Sequence, residues 1–205
     1  MSAERRWNQR RFRIEESTTQ NGGQRTVFIE YMTPGTTVPP HYHTRFAETF
    51  DLLEGAITVY SSAQTPPGGD EGADLDLLEE SARQLEPRKE ATVPPGVYHK
   101  YLVGDEDTVL RVVVTPGDAD FERVLMIQNG LAEDGELESL GDNVLLMVVI
   151  MGLADAHLLG PARAMLDGVY ASQKQEVEDL KAKLLAKYDN EDSLKKLLAK
   201  DQSDR

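Results

Sequence analysis

The chain has no cysteine among its 205 residues. Disulfides and thiolate metal sites are therefore excluded, and the composition suits a reducing compartment. Positive charge is also short: 22 lysines and arginines stand against 36 aspartates and glutamates, a formal charge of -14. A surface of that sign repels phosphate backbones and anionic lipid, which argues against nucleic acid or a membrane as partner. Arg5, Arg6, Arg10, Arg11 and Arg13 form one basic cluster. It reads as a solvated leader pairing with the acidic body, with nucleic-acid contact or targeting as the alternative.

A long apolar run is missing too. The most apolar stretch, "VLLMVVIMGLA" at 144–154, falls short of the roughly 20 residues that a bilayer span needs. Asp155 and His157 follow it closely, and it reads as a buried helix. The first residues, "MSAERRWNQRRFR", carry no apolar stretch of the signal-peptide kind, so the cytoplasm is the expected location. No internal repeat is visible. What remains is an ordinary globular composition, 40% hydrophobic and 28% charged. The length allows one core, or one core with an appendage.

Residues from about 12 to 115 read as strands and turns: "TVFIEYM" before Pro34-Gly35, "ETFDLLEG" turning into "AITVYSS", then "VYHKYLVG" and "TVLRVVVTPG". Short Val-, Ile-, Thr-, Tyr- and Phe-rich segments punctuated by Gly and Pro predict an antiparallel sandwich or barrel. Residues 63–74, "AQTPPGGDEGAD", offer nothing to bury and read as a mobile surface loop, with a lid as the alternative. "LDLLEESARQL" suits a helical turn or a strand equally. From Phe121 onward Leu, Met, Ala, Glu and Lys take over, and helices are expected. Asp120 is a candidate cap for "FERVLMIQNGL" and Asp142 for the apolar helix, which would stop at Gly160-Pro161. A last helix would run from Pro161 into the 180s. Val177, Leu180, Leu184, Leu185 and Tyr188 share one stripe on it, either packing on the barrel or forming a dimer seam. The chain thus divides into 1–120, a barrel with a leader at 1–11, and 121–205, a helical extension.

The chemistry concentrates in "PPHYHTRFAETF", residues 39–50. In extended chain, residues two apart point the same way, so His41 and His43 project together and Tyr42 faces away. Glu48 opens the next strand and can return a carboxylate to the same point. His99 follows the Pro-Pro-Gly turn in "VPPGVYHKYLV" at the head of another strand. Nitrogen and oxygen donors of this kind suit one divalent transition ion, iron, manganese, nickel, copper or zinc. Four such side chains leave positions open on a six-coordinate ion, unlike a closed structural zinc site. His157 lies two residues from Asp155, a spacing that on a helix puts the pair on nearly opposite sides. It reads as a packed or capping residue.

These segments resemble the two motifs of the cupin superfamily. The first pattern, Gly, five residues, His-x-His, three or four residues, Glu, six residues, Gly, is met by Gly35, His41, His43, Glu48 and Gly55. The second is met at Pro94, Gly96 and His99, but Arg88 stands where a leading Gly is expected and Val103 where an Asn is expected. The resemblance covers about residues 26–115. It implies a mostly β fold, a cupin jelly-roll barrel with an α-helical C-terminal extension. It also implies a metal held inside by His41, His43, Glu48 and His99, and frequent dimerisation; a homodimer is expected.

Strand alternation extends the site. If Glu48 and His99 point inward, so do Phe50, Leu52 and Glu54 on one strand and Tyr101 and Val103 on the other. That wall is mostly apolar and suits a small apolar or aromatic substrate. Tyr101 and Glu48 are the candidate proton carriers, with Glu54 as another candidate base. The leading expectation is a metal-dependent oxygenase of the dioxygenase type. Metal-dependent isomerase, decarboxylase or lyase chemistry is the alternative, and a non-catalytic small-molecule binder is the third reading.

Overall fold

The structure, a computed structural model, describes residues 12–62, 76–136 and 143–198. The basic leader apart from Arg13, and the loop at 63–74, lie outside the described residues. Arg13 itself pairs with Glu15 at 3.2 Å.

Two five-stranded antiparallel sheets face one another. The first has the order β1 (Phe12–Glu16), β2 (Thr26–Met32), β9 (Thr108–Thr115), β4 (Ala47–Glu54), β7 (Glu90–Val93). The second has the order β10 (His157–Leu158), β3 (His41–Tyr42), β8 (Tyr98–Val103), β5 (Ile57–Ser62), β6 (Arg83–Leu85). Successive strands from β2 to β5 alternate between the sheets, β2 and β4 in the first and β3 and β5 in the second. The segment pattern predicts such an antiparallel sandwich, and the cupin resemblance implies its jelly-roll form. Inward residues of both sheets, among them Ile14, Met32, Leu52, Ile57, Val103, Leu110 and Val114, form one apolar core. The undecided "LDLLEESARQL" is both a turn and a strand: α2 (Asp76–Glu79), following a first short helix α1 (Thr18–Asn21), leads into β6.

Two backbone positions explain the motif spacing. Gly55 ends β4 at φ 87°, and a Cβ there would overlap the Thr108 hydroxyl and sit 2.6 Å from the Asp107 carbonyl. Only glycine meets both demands. Arg88, at the place of the second motif's leading glycine, adopts φ 65°. The turn therefore keeps the left-handed conformation although its side chain departs from the motif.

Five helices follow: α3 (Ala119–Glu133), α4 (Val144–Leu153), α5 (Pro161–Ser172), α6 (Lys174–Tyr188) and α7 (Glu191–Leu198). The expected helical content is present, with its boundaries moved. Asp118 rather than Asp120 caps α3, accepting from the Phe121 N–H at 2.8 Å. Asn143 caps α4; Asp142 lies outside the described residues. α4 stops at Leu153, not at Gly160-Pro161, because Asp155 turns to φ 52°. The single helix expected after Pro161 breaks at Gln173, φ -128°.

α3, α4 and α6 build a second apolar cluster in which Val177, Leu184 and Tyr188 are buried. Val177, Leu184 and Tyr188 of the stripe thus pack against helices of their own chain rather than against the barrel. Gly130 permits this packing, since a Cβ there would run into the Tyr188 ring. The extension is fastened at two places. Leu197 of α7 is fully buried in the barrel core. Glu122 of α3, 3% exposed, accepts from the Ser17 hydroxyl at 2.6 Å, the Thr18 N–H at 2.7 Å and the Thr26 hydroxyl at 2.7 Å. A buried carboxylate is tolerated when its oxygens are this fully satisfied. Among the described residues, no helix is long and apolar enough to cross a membrane.

Gly55→Ala should lower the unfolding free energy by about 2–4 kcal/mol, combining the left-handed backbone cost with overpacking against Thr108. Urea unfolding of the purified variant measures it, and an unchanged midpoint would refute the steric account.

Candidate metal centre

Each of the four donors is placed by its local sequence. Pro39 and Pro40 favour extended chain, and His41 enters β3 directly opposite His99 of β8. His43 lies just past β3, where its carbonyl accepts the Gly96 N–H at 2.7 Å and so ties the two motif segments together. Glu48 comes from β4 in the other sheet, paired with Val93 and Val114. The side chains meet between the sheets: one donor atom from each lies within 4.8 Å of every other, and all four residues are buried.

The hydrogen bonds show what the cluster lacks. The three Nδ1 atoms face backbone carbonyls: His41 that of Pro39 at 2.7 Å, His99 that of Val97 at 3.0 Å, His43 those of Ala154 at 3.0 Å and Asp155 at 3.1 Å. Such contacts fix Nδ1–H tautomers and turn the Nε2 lone pairs inward. Inside, His41 Nε2 lies 3.1 Å from His43 Nε2, and the Glu48 carboxylate lies 3.0 Å from His99 Nε2 and 3.3 Å from His43 Nε2. A neutral imidazole carries one N–H, yet each of these rings meets an acceptor at both nitrogens. One divalent cation at the centre would satisfy all four inward donors at once. The donor set therefore fits a divalent transition ion.

Ionisation follows the same geometry. Burial pushes the His41 imidazole down to about 3, aided by repulsion from His99 and His43. For His43, burial opposes protonation, but the adjoining Glu48 carboxylate and the carbonyls of Asp155 and Ala154 outweigh it and raise the imidazole. Burial likewise opposes ionisation of Glu48, and the charge and hydrogen bonds of His43 and His99 still hold it well below the usual carboxylate range. In the metal-free protein the geometry thus favours a proton on His43 over one on His41, beside an ionised Glu48.

A cavity of about 270 Å³ opens onto the cluster, walled by Phe28, Phe50, Val112, Phe121 and Ile150, with Glu30, Tyr101, Thr36, Thr37 and Gln128 among its polar lining. Phe50 and Tyr101 thus stand where alternation puts them. Leu52 and Val103 do not line the cavity; they are buried in the barrel core at 0% and 2% exposure. Glu54 is exposed, because a register shift between Leu52 and Glu54 reverses the strand's facing. Glu30 went unnoticed in the sequence. It accepts from the Tyr101 hydroxyl at 3.1 Å, and its signal was a lone carboxylate two residues after Phe28 in an otherwise apolar strand.

His157 differs from its helical expectation. It lies on β10, pairs with Tyr42 and stacks on that ring at 4.9 Å, and its Nε2 donates to Asp155 Oδ1 at 2.9 Å. The left-handed turn at Asp155 brings the two onto one side.

No family model matches the chain, and no curated protein does. Among solved structures, KdgF from Halomonas sp. is similar with a TM-score of 0.41 at 16% identity, over 53% of this chain and 80% of that one. The cupin domain of Schizosaccharomyces pombe Cnp3 is similar at 0.35 and 17%, over 45% of this chain and 53% of that one. The DMSP lyase DddQ from Ruegeria pomeroyi is similar at 0.35 and 20%, over 47% of this chain and 40% of that one. The two facing sheets that the cupin resemblance leads one to expect are present in this chain's own strand order, and its motif histidines and glutamate meet between them.

The pH dependence has a worked sign. A raised His43 stabilises the metal-free fold below the ordinary value of 6.5, and that contribution is lost as pH rises through the raised value. A lowered Glu48 stabilises above the ordinary 4.5 and is lost as pH falls through its lowered value. A cation must displace the His43 proton, so its affinity climbs across the first window. From about pH 6 to about pH 8 the urea midpoint of metal-free protein should fall while the increment from added Zn²⁺ grows. A Zn²⁺ increment independent of pH would contradict this assignment.

Proposed function

We propose that this chain is a metal-dependent enzyme that binds a small, largely apolar molecule against a cation held by His41, His43, Glu48 and His99. The carrying observation is the convergence of those four donors, each imidazole anchored from behind, at the end of an apolar cavity. When bound, the cation supplies Lewis acidity and, for iron, manganese, nickel or copper, a redox centre.

The protein's own groups support acid–base chemistry. The Tyr101 hydroxyl donates its one hydrogen to Glu30, so its oxygen can accept a proton from a molecule seated in the cavity while Glu30 takes up the hydroxyl's own, and the reverse passage returns it. Glu48 lines the same cavity with its carboxylate held ionised by His43 and His99. Phe28, Phe50 and Phe121 present an apolar wall to that space. Among the described residues the cavity lining contains two carboxylates and neither Lys nor Arg, which favours a substrate whose remote end is neutral or cationic. Isomerase, lyase or decarboxylase chemistry suits this arrangement best. The oxygenase reading draws support from the same apolar wall and from the ligand types. It has no counterpart to the Tyr101–Glu30 pair.

Elemental analysis should find about one transition ion per chain, lost in His41→Ala and Glu48→Gln. A panel of enolisable ketones, catechols and hydroxy acids, assayed in air and under nitrogen, separates the chemistries. Turnover under nitrogen with Zn²⁺ supports acid–base action, and oxygen uptake with Fe²⁺ supports an oxygenase. On whichever substrate turns over, Tyr101→Phe should lower kcat by roughly 10²- to 10⁴-fold and keep its metal. Glu30→Gln should lower it less. Full activity in Tyr101→Phe would remove the tyrosine from the chemistry.

A further inference from the structure

We infer that the helical extension is a working part of the metal site, with Asp155 the positioning residue that couples docking of the extension to metal binding. This rests on the metal reading above. Residues 154–159 leave α4 and run antiparallel to 40–45: His157 pairs with Tyr42, Leu158 with His41, and the Leu159 N–H donates to the Pro40 carbonyl at 3.1 Å. The extension thereby adds an edge strand beside one ligand, His41, and supplies both carbonyls that face His43 Nδ1.

Asp155 makes that double contact possible. At φ 52° it occupies a conformation uncommon for a residue with a side chain, so its carbonyl faces His43 while its carboxylate reaches the next two residues. That carboxylate, 9% exposed, accepts from the Thr44 N–H at 2.6 Å, the Arg45 N–H at 2.8 Å and the Thr44 hydroxyl at 3.0 Å. His157 donates to it from the other side at 2.9 Å. Arg45 continues the link, donating to Asp118 at the start of α3 at 2.7 Å and to the Leu153 carbonyl at 2.7 Å. The loop from His43 to Arg45 is thus held by the extension at backbone and side chain together. A cation needs His43 Nε2 aimed inward, which is what the anchored Nδ1 enforces. Coupling is reciprocal, so the bound cation must in turn tighten the docked segment.

Co²⁺ is the probe, because its visible spectrum reports coordination. In the full-length protein it should slow amide exchange across residues 144–159. Asp155→Ala should raise the Co²⁺ dissociation constant roughly 10- to 100-fold in competition with a chelator, alter the spectrum, and abolish the exchange response. Asp155→Asn tolerates the left-handed backbone but gives up one anionic acceptor, and should show a smaller change of the same sign. It carries the test if the alanine variant does not fold. Wild-type binding with no exchange response at 144–159, or unchanged affinity and spectrum in the folded variant, would overturn the coupling while leaving the metal site standing. Absence of Co²⁺ binding by the wild type would overturn both.

Discussion

The centre of this protein is short of protons. Three buried imidazoles and a carboxylate meet between two sheets, and each imidazole already faces a backbone carbonyl with Nδ1. The inward nitrogens then confront one another and Glu48 with no hydrogen to share among them, a costly arrangement at low local dielectric. Protonating His43 relieves part of it, at the expense of a charged ring in the interior. A divalent cation relieves all of it. The rest of the structure is arranged around that requirement: Pro39-Pro40 extends one ligand strand, the turn at Gly96 is tied to the His43 carbonyl, and α4 ends where its last carbonyls can hold the third ring.

How much of this was legible depended on whether the information was local. The four candidate donors were, because two-residue spacing in extended chain and a turn before His99 are local facts, and the structure brings all four side chains together. The strand-rich first half and helical second half were legible in composition. Strand facing was legible only up to the first irregularity. Phe50 and Tyr101 reach the cavity wall, Leu52 and Val103 sink into the core, and Glu54 turns outward past the register shift. Arg88 shows the opposite case, a residue that departs from the motif yet keeps the backbone the motif needs. Nothing local announces Asp155. Its contacts with Thr44 and Arg45 span more than a hundred residues of chain, and they depend on a left-handed turn that no neighbouring glycine signals.

The helical half therefore has two loyalties. It has its own apolar cluster, in which Gly130 leaves room for the Tyr188 ring. Leu197, Glu122 and the segment at 154–159 join it to the sandwich at the core, at the N-terminal helical turn and at the ligand strand. The stripe on α6 shows why periodicity alone misleads: an apolar face says that something covers it, and here the cover is α3 and α4. Glu30 makes the same point for polar groups. A carboxylate facing inward is expensive unless paired, and its pairing with Tyr101 places a proton-bearing group beside the metal cavity.

The same geometry bears on stability. Glu48 belongs to one sheet and His41 and His99 to the other, so a cation at their meeting point ties the two layers across the core. Binding confined to the folded state adds about 2.7 kcal/mol at a free concentration a hundredfold above Kd, a large share of the 5–15 kcal/mol that holds a typical domain. Four apolar side chains at these positions would have closed the same space without that dependence. The sandwich instead keeps four ionisable groups where packing alone would favour none, and the helices behind His43 make their alignment rigid. A fold built this way gives up independent stability at its centre; a cation held by these four donors would restore it and would lie beside the cavity walled by Phe28, Phe50 and Phe121.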